Sequence, residues 1–339
     1  MLSTAIRRMS LDAVGTAHRT EICQQIRKAF KAEGVAKPKV ASIQSGRLYE
    51  YLATTNAFFL DEAHHIAAPS YQKAVAASEG QLLLGGTATP YRHDGVAIAP
   101  HFDAIVFAPS AAELARLGYL ANIKYISADD VDFSAVRKTV KEEFDVEDAF
   151  NRVRVVVQAG DPIKSWRKYA PYKRGIIYCC NQQHCELVHN EMASAGLDVR
   201  VVTSRTGTKA RKLAIQDFEA GKINGLINCE VFVEGTDIKN VGVIMMLRPI
   251  AGRGLYKQLI GRGLRPDVDC IVLDHVGNYI RHGNVMVEDV NELMNSAHLM
   301  TTRGQVVNDF GLEAVRMDLH IEKIESKLTK IWISSVFRG

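Results

Sequence analysis

Two adjacent carboxylates, Asp61 and Glu62, follow the apolar run Phe58-Phe59-Leu60 and precede His64 and His65. A buried strand ending in paired acids places them at the C-terminal edge of an α/β sheet, where such sheets bind ligands. Hard carboxylate oxygens at that place suit a hydrated Mg²⁺ and the phosphates of a nucleotide better than they suit a core. A metal pair formed by His64 and His65 fails for want of a third ligand at plausible spacing. Further along, Gln258, Arg262 and Arg265 stand at helical intervals, and Lys239, Arg248, Arg253, Lys257, Arg262 and Arg265 occur with no acidic residue between them. Guanidinium stays charged and binds phosphate oxygens bidentately, so this run is a phosphate-binding patch or a solvated basic helix.

The elements that must hold these residues follow from apolar periodicity. Strands are predicted at Leu11–Ala17, Val40–Ile43, up to Asp61, and at Gln81–Gly85; helices at Ile22–Phe30 and Arg47–Ala53 lie between them. A second run of alternation has strands at Gly175–Cys180, Val199–Val202, Leu226–Cys229, Val241–Met246 and Cys270–Leu273. Its helices lie at Gln183–Ala195, Arg211–Ala220 and from Arg253 toward Gly263. Continuous apolar strands alternating with amphipathic helices imply parallel sheets covered on both faces. Between the two runs, Asp129–Asp132 and Lys138–Asp148 are charged and predicted to be exposed, and a helix is expected at Ile163–Tyr169. Leu319–Ile331 has helical apolar spacing.

Composition sets the outer bounds. The 339 residues suffice for two domains, and 47% hydrophobic and 24% charged residues belong to a globular chain. No apolar run approaches the ~20 residues of a membrane span, and the first residues lack the apolar core of a secretory signal. The six cysteines are scattered without a paired metal spacing, so reduced core thiols and a cytoplasmic location are expected. A net charge of +4 permits a polyanionic partner without requiring one.

Asp61-Glu62-Ala63-His64 is short enough to arise by chance, and its weight comes from order. It is followed by Thr87-Ala88-Thr89-Pro90 after the next strand, then Glu234-Gly235-Thr236-Asp237, then Gln258-Leu259-Ile260-Gly261-Arg262-Gly263-Leu264-Arg265-Pro266. In that order these residues resemble the motifs of superfamily 2 helicases of the DEAD/DEAH-box type, within the branch of phage-type helicases and type III restriction motor subunits, over roughly residues 10–285. The resemblance implies two RecA-like parallel-sheet domains with ATP and Mg²⁺ as cofactors. Asp61 would hold Mg²⁺, Glu62 would orient and deprotonate the attacking water, and His64 would relay nucleotide state. Thr87 and Thr89 would couple hydrolysis to movement. Gly235 and Asp237 would sense nucleotide. Gln258, Arg262 and Arg265 would lie on one helical face, the arginines reaching the γ-phosphate. His18 and Arg19, and in the second domain Ser204, Arg205 and Arg211, would grip the backbone of a single strand of DNA or RNA, with DNA favoured. Asp274-His275-Val276-Gly277-Asn278 resembles the close of the second domain.

The family's phosphate cradle, Gly-x-x-x-x-Gly-Lys-[Ser/Thr], matches no string in the 339 residues. The expectation is an N-terminally truncated member: a partial ATP-binding domain at 1–125 lacking its first strand, with an exposed sheet edge in consequence; a connector at 126–170; the helicase C-terminal domain at 171–285; and a short helical tail at 286–339. Activity would be impaired. The alternatives are a nucleic-acid-binding remnant or regulatory module without ATPase activity, and the motor subunit of a restriction complex.

Overall fold

The computed structural model describes residues 11–35, 37–87, 101–107, 111–127, 133, 136–139, 143–158, 161–229, 231–232, 238–266 and 268–286, together with strand backbone at 299–302, 305–308, 313–316 and 330–334. Two compact units divide the chain: Met1–Ser110 with Asp289–Arg338, and Ala111–Glu288.

The first unit is built on strands β1 (Ala13–Ala17), β2 (Lys39–Ser42), β3 (Ala57–Asp61), β4 (Leu82–Thr87) and β5 (Ala104–Phe107). Helices α1 (Thr20–Ala32), α2 (Gly46–Leu52) and α3 (Pro69–Ala77) lie between them, with a 3₁₀ turn at Ala63–His65. Strand β3 is apolar from Ala57 to Leu60 because both of its faces are covered. Phe58 and Leu60 pack with Leu48, Leu52, Tyr71 and Ala74 of α2 and α3. Ala57 and Phe59 pack with Ile22, Ile26 and Phe30 of α1. Phe58, Phe59 and Leu60 are all fully buried, each contributing about 1.5–3 kcal/mol of transfer free energy.

Four strands from the end of the chain join this sheet: β12 (Leu299–Thr302), β13 (Gln305–Asn308), β14 (Glu313–Arg316) and β15 (Lys330–Ser334). The order is β12-β13-β14-β5-β15-β4-β3-β1-β2, parallel except at the pairs β12–β13 and β13–β14. One expectation changes here. The described parts of the tail are strands; the predicted helix at Leu319–Ile331 falls mostly outside the described residues, and its last two positions open β15. The sheet's edge strands are β2 and β12. β15 runs parallel between β4 and β5, with Lys330 to Ser334 opposite Leu83 to Thr87 and Ile331 to Ser334 opposite Ala104 to Phe107.

The second unit has a parallel sheet in the order β6-β11-β10-β7-β9-β8. Its strands are β6 (Ile123–Ser127), β7 (Gly175–Tyr178), β8 (Val199–Val202), β9 (Gly225–Asn228), β10 (Val243–Met246) and β11 (Cys270–Asp274). Its helices are α4 (Ala111–Arg116), α5 (Val146–Gln158), α6 (Asp161–Tyr169), α7 (Gln182–Ser194), α8 (Thr208–Glu219), α9 (Arg253–Gly261) and α10 (Asn278–His282). The stretch expected to be a connector belongs to this unit. β6 pairs with β11 from Ile123–Cys270 to Ser127–Asp274. Within the stretch expected to be a connector, α5 buries Ala149, Phe150, Val153 and Val157 on one stripe, and α6 buries Trp166. All six cysteines are free and buried. Among the described residues, no helix is long and apolar enough to cross a membrane.

Candidate functional site

Asp61 ends β3, opposite Gly86 of β4, and is buried. Its Oδ1 accepts the Glu62 N–H at 3.1 Å. Glu62 then leaves the strand in the left-handed region, φ 52° and ψ 51°. Only Glu62 and Asn240 do so among the described non-glycine residues. Such a conformation costs an ordinary side chain about 1–2 kcal/mol, and strain of this kind concentrates at functional sites. The turn it starts brings His64 back over the sheet. His64 Nδ1 lies 2.9 Å from Thr87 Oγ1 at the end of β4 and 3.4 Å from Glu62 Oε2. A proton on Nδ1 can serve both oxygens; the hydroxyl can also donate to an unprotonated Nδ1. Thr87 is 2% exposed and His64 7%, so the link lies out of water.

Gly85 makes this approach possible. A Cβ there would stand 2.5 Å from Phe102 Cζ and 3.0 Å from Ala63 Cβ. The bare backbone lets the turn carrying Ala63 and His64 lie directly on β4.

His18 and Arg19 follow the end of β1, and Arg19 Nε donates to His18 Nε2 at 3.2 Å. The His18 ring meets His65 edge-on, with centroids 5.1 Å apart at 73°. His65 in turn lies 4.2 Å from the His64 ring and 6.0 Å from that of Tyr71. The structure therefore gathers Asp61, Glu62, His64, Thr87 and His18 at one end of the first sheet. Thr89 falls outside the described residues.

In the second unit, Gln258 lies in α9, and Arg262 caps its C-terminus. Arg265 lies beyond the helix, so the expected single helical face for Gln258, Arg262 and Arg265 is corrected: the helix stops at Gly261. The reason is local. A Cβ on Gly263 would stand 3.0 Å from Ile244 Cδ1 and 3.1 Å from Cys270 Cβ, so the chain turns in against the sheet there. Burial pushes the Tyr178 phenol up from its usual value, and the charge of Arg262 works against that. Gly235 and Asp237 fall outside the described residues.

The loop after β8 is closed by its own polar groups. Thr203 N–H donates to Thr206 Oγ1 at 3.0 Å, and Arg205 N–H donates to Thr203 Oγ1 at 3.3 Å. Arg211 Nη2 donates to the carbonyls of Thr203 and Thr206 at 3.3 and 3.4 Å. Ser204 and Arg205 are exposed at the tip, while Arg211 is spent partly on holding the loop.

The Asp274–Asn278 stretch is a clamp. Asp274 accepts from Val276 N at 3.2 Å, Tyr279 N at 2.7 Å and Ser127 Oγ at 3.3 Å. Asn278 accepts from Ile250 N at 2.9 Å and donates to Arg248 O at 3.0 Å. It thereby fixes the segment that leads into α9. Sequence reasoning missed the left-handed Glu62, the contact of His65 with His18, and the supporting Tyr71. The adjacency of His64 and His65 was visible, but a ring contact between segments over forty residues apart has no local signal.

Paired carboxylates thus stand at a parallel strand end, with Glu62 linked through His64 to a hydroxyl on the next strand, in a chain whose two parallel-strand sheets have the RecA-like fold. Residues 162–267 match the helicase conserved C-terminal domain. A putative mitochondrial ATP-dependent helicase, irc3 of Schizosaccharomyces pombe, is 32% identical over 266 residues, covering 72% of this chain and 42% of the relative. A 51.5 kDa protein of a Lactococcus phage is 27% identical over 273 residues, covering 78% and 60%. Among solved structures, a fragment of a putative HsdR subunit of a type I restriction enzyme from Vibrio vulnificus matches with a TM-score of 0.59 at 18% identity, over 80% of this chain and 54% of that one. Dbp5 of Saccharomyces cerevisiae bound to RNA and ADP BeF3 matches at 0.51 and 15% identity, over 90% and 76%. The chain belongs to the superfamily 2 helicases. It spans 42% of the Schizosaccharomyces pombe relative and 37% of a second relative, the putative ATP-dependent helicase IRC3 of Saccharomyces cerevisiae.

Proposed function

We propose that the chain is a nucleic-acid-dependent ATP hydrolase of the helicase or translocase kind, acting on single-stranded nucleic acid, with DNA favoured over RNA. The observation that carries the reading is the Asp61–Glu62 pair at the end of β3, with Glu62 linked through His64 to Thr87. The donor set fits Mg²⁺: Asp61 offers a hard carboxylate oxygen at a strand end, and Mg²⁺ there would neutralise phosphate oxygens. Glu62 accepts a proton from the attacking water as its oxygen bonds to the γ-phosphorus and ADP leaves. His64 holds the Glu62 carboxylate, and Thr87 fixes the imidazole. Thr89, Gly235 and Asp237 keep their expected roles in coupling and nucleotide sensing. Arg262 and Arg265 supply charge to the γ-phosphate, with Gln258 one helical turn before Arg262, and His18, Arg19, Ser204, Arg205 and Arg211 contact the strand backbone without reading bases. Six free, buried thiols support a reducing, cytoplasmic compartment.

The test is phosphate release by the 339-residue chain with Mg²⁺-ATP, with and without oligo(dT) or oligo(U). Glu62→Gln should abolish release while leaving binding of a fluorescent ATP analogue intact. Absence of both binding and release would overturn the reading. A second reading, a nucleic-acid-binding module without hydrolysis, is favoured by one observation: no Gly-x-x-x-x-Gly-Lys-[Ser/Thr] string occurs in the 339 residues. It predicts oligo(dT) binding that Mg²⁺-ATP leaves unchanged. A third, the motor subunit of a restriction complex, has in its favour only the likeness in fold to the HsdR fragment.

A further inference from the structure

The first unit contains an unbroken line of contacts whose middle member, His65, the functional reading above does not use. It begins at Glu62 and Thr87, which both approach His64 Nδ1, at 3.4 and 2.9 Å. It passes from the His64 ring to the His65 ring, 4.2 Å away and inclined by 44°. It passes edge-on from His65 to His18, 5.1 Å away, and ends where Arg19 Nε donates to His18 Nε2 at 3.2 Å. Three imidazoles from two segments thus connect the carboxylate placed to activate water with the arginine placed to hold a strand. Tyr71 of α3 also meets the His65 ring, with centroids 6.0 Å apart. His65 thus touches rings from both α3 and the segment that follows β1.

We propose that His65 is a positioning residue that couples occupancy of the strand grip at His18 and Arg19 to the placement of His64 and Glu62. The proposal rests on the functional reading above, and it adds a route by which nucleic acid stimulates hydrolysis within a single unit. A backbone phosphate that draws Arg19 away from His18 Nε2 changes the hydrogen bonding of the His18 ring and with it the ring's tilt. That ring bears on the edge of His65, and His65 bears on His64. His64 then shifts between Thr87 and the Glu62 carboxylate, which sets where Glu62 holds a water. Contact alone is not coupling, so the element must respond at both ends.

The experiment uses the full chain with isotope-labelled histidine, its ring resonances assigned by single substitutions. Oligo(dT) is added while its binding is followed by fluorescence anisotropy. Oligo(dT) should shift the His18 ring signals and, through His65, those of His64. In His65→Ala the His18 response should remain while the His64 response disappears; His65→Phe, which keeps a ring between α3 and His18, should restore it. The stimulation of phosphate release by oligo(dT) should fall about tenfold in His65→Ala and recover in His65→Phe, in the range of ordinary site-to-site coupling. A His18 response without a His64 response in the unmodified chain refutes the relay alone. So does an undiminished His64 response in His65→Ala. Oligo(dT) binding with no His18 response refutes the strand-grip assignment and the relay together. The unmodified chain supplies a decisive result even if His65→Ala fails to fold.

Discussion

Glu62 combines a left-handed backbone with a side chain that an L-residue of its type tolerates poorly there, and the two can be separated by substitution. An ordinary residue at φ 52° forfeits about 1–2 kcal/mol. Asn occupies that region far more readily than Glu or Gln, so Glu62→Asn should recover about 0.5–1 kcal/mol relative to Glu62→Gln. Glu62→Gln is the proper reference because it removes the charge and keeps the strain. The charge itself matters little to stability: the Glu62 side chain is 25% exposed and 3.4 Å from His64, and a partly solvated pair of that kind contributes under about 1 kcal/mol. Glycine is a poor substitute for the test, because its flexibility in the unfolded chain offsets the relief by a similar amount. Asn can also cap the Ala63–His65 turn, so Glu62→Ser, a good cap without the same tolerance of the left-handed region, isolates that contribution. Calorimetry should place the transition of the first unit about 1–4 °C higher in Glu62→Asn than in Glu62→Gln, with Glu62→Ser between or below, and phosphate release abolished in all three. If Glu62→Asn melts no higher than Glu62→Gln, no strain is stored at Glu62, and its backbone conformation is not held against a cost.

Three further outcomes follow from the same geometry. Thr87→Val should lower the stability of the first unit by about 1–3 kcal/mol by removing the hydroxyl 2.9 Å from buried His64, while Thr87→Ser stays close to the unmodified chain by urea titration. Deleting residues from Lys330 onward takes β15 out from between β4 and β5, and hydrogen exchange should accelerate at Leu83–Gly86 and Ala104–Phe107 with little change in β7–β11. His184 is fully buried, its Nδ1 accepts the Cys180 N–H at 3.2 Å, and burial lowers its pKa to about 4. The unfolded chain therefore binds the proton first, and stability of the second unit is lost as pH falls from about 6.5 to about 4, by up to about 3 kcal/mol. Burial lowers His275 and His282 in the same direction. In His184→Gln the acid-side slope of stability should flatten over that window.

What could be read in advance was whatever the chain states locally. Phe58-Phe59-Leu60, Ile176-Ile177 and Val243–Met246 are apolar without interruption because both faces of their strands are covered, and that alone announces a parallel sheet. β6 escaped because it is an edge strand: Lys124 is exposed and its neighbours only half-buried, so no continuous run marks it. α5 escaped because Glu147, Asp148, Arg152 and Arg154 mask the stripe of Ala149, Phe150, Val153 and Val157. β15 escaped for a different reason. Its partners, Leu83–Thr87 and Ala104–Phe107, lie more than two hundred residues away, and pairing at that distance is a property of the vacancy between β4 and β5 as much as of the strand that fills it. The site divides in the same way. Asp61 and Glu62 were legible because a strand end and two acids are local facts. The backbone of Glu62 and the contact of His65 with His18 were not, because each is set by what β1, β4 and α3 press against the turn. Residue types at a site can be shared by every chain of the same descent. The bare Gly85, the left-handed Glu62 and the three neighbouring imidazoles are what give those types their arrangement, so the substitutions that test function most sharply are those that leave Asp61 and Glu62 in place and disturb what holds them.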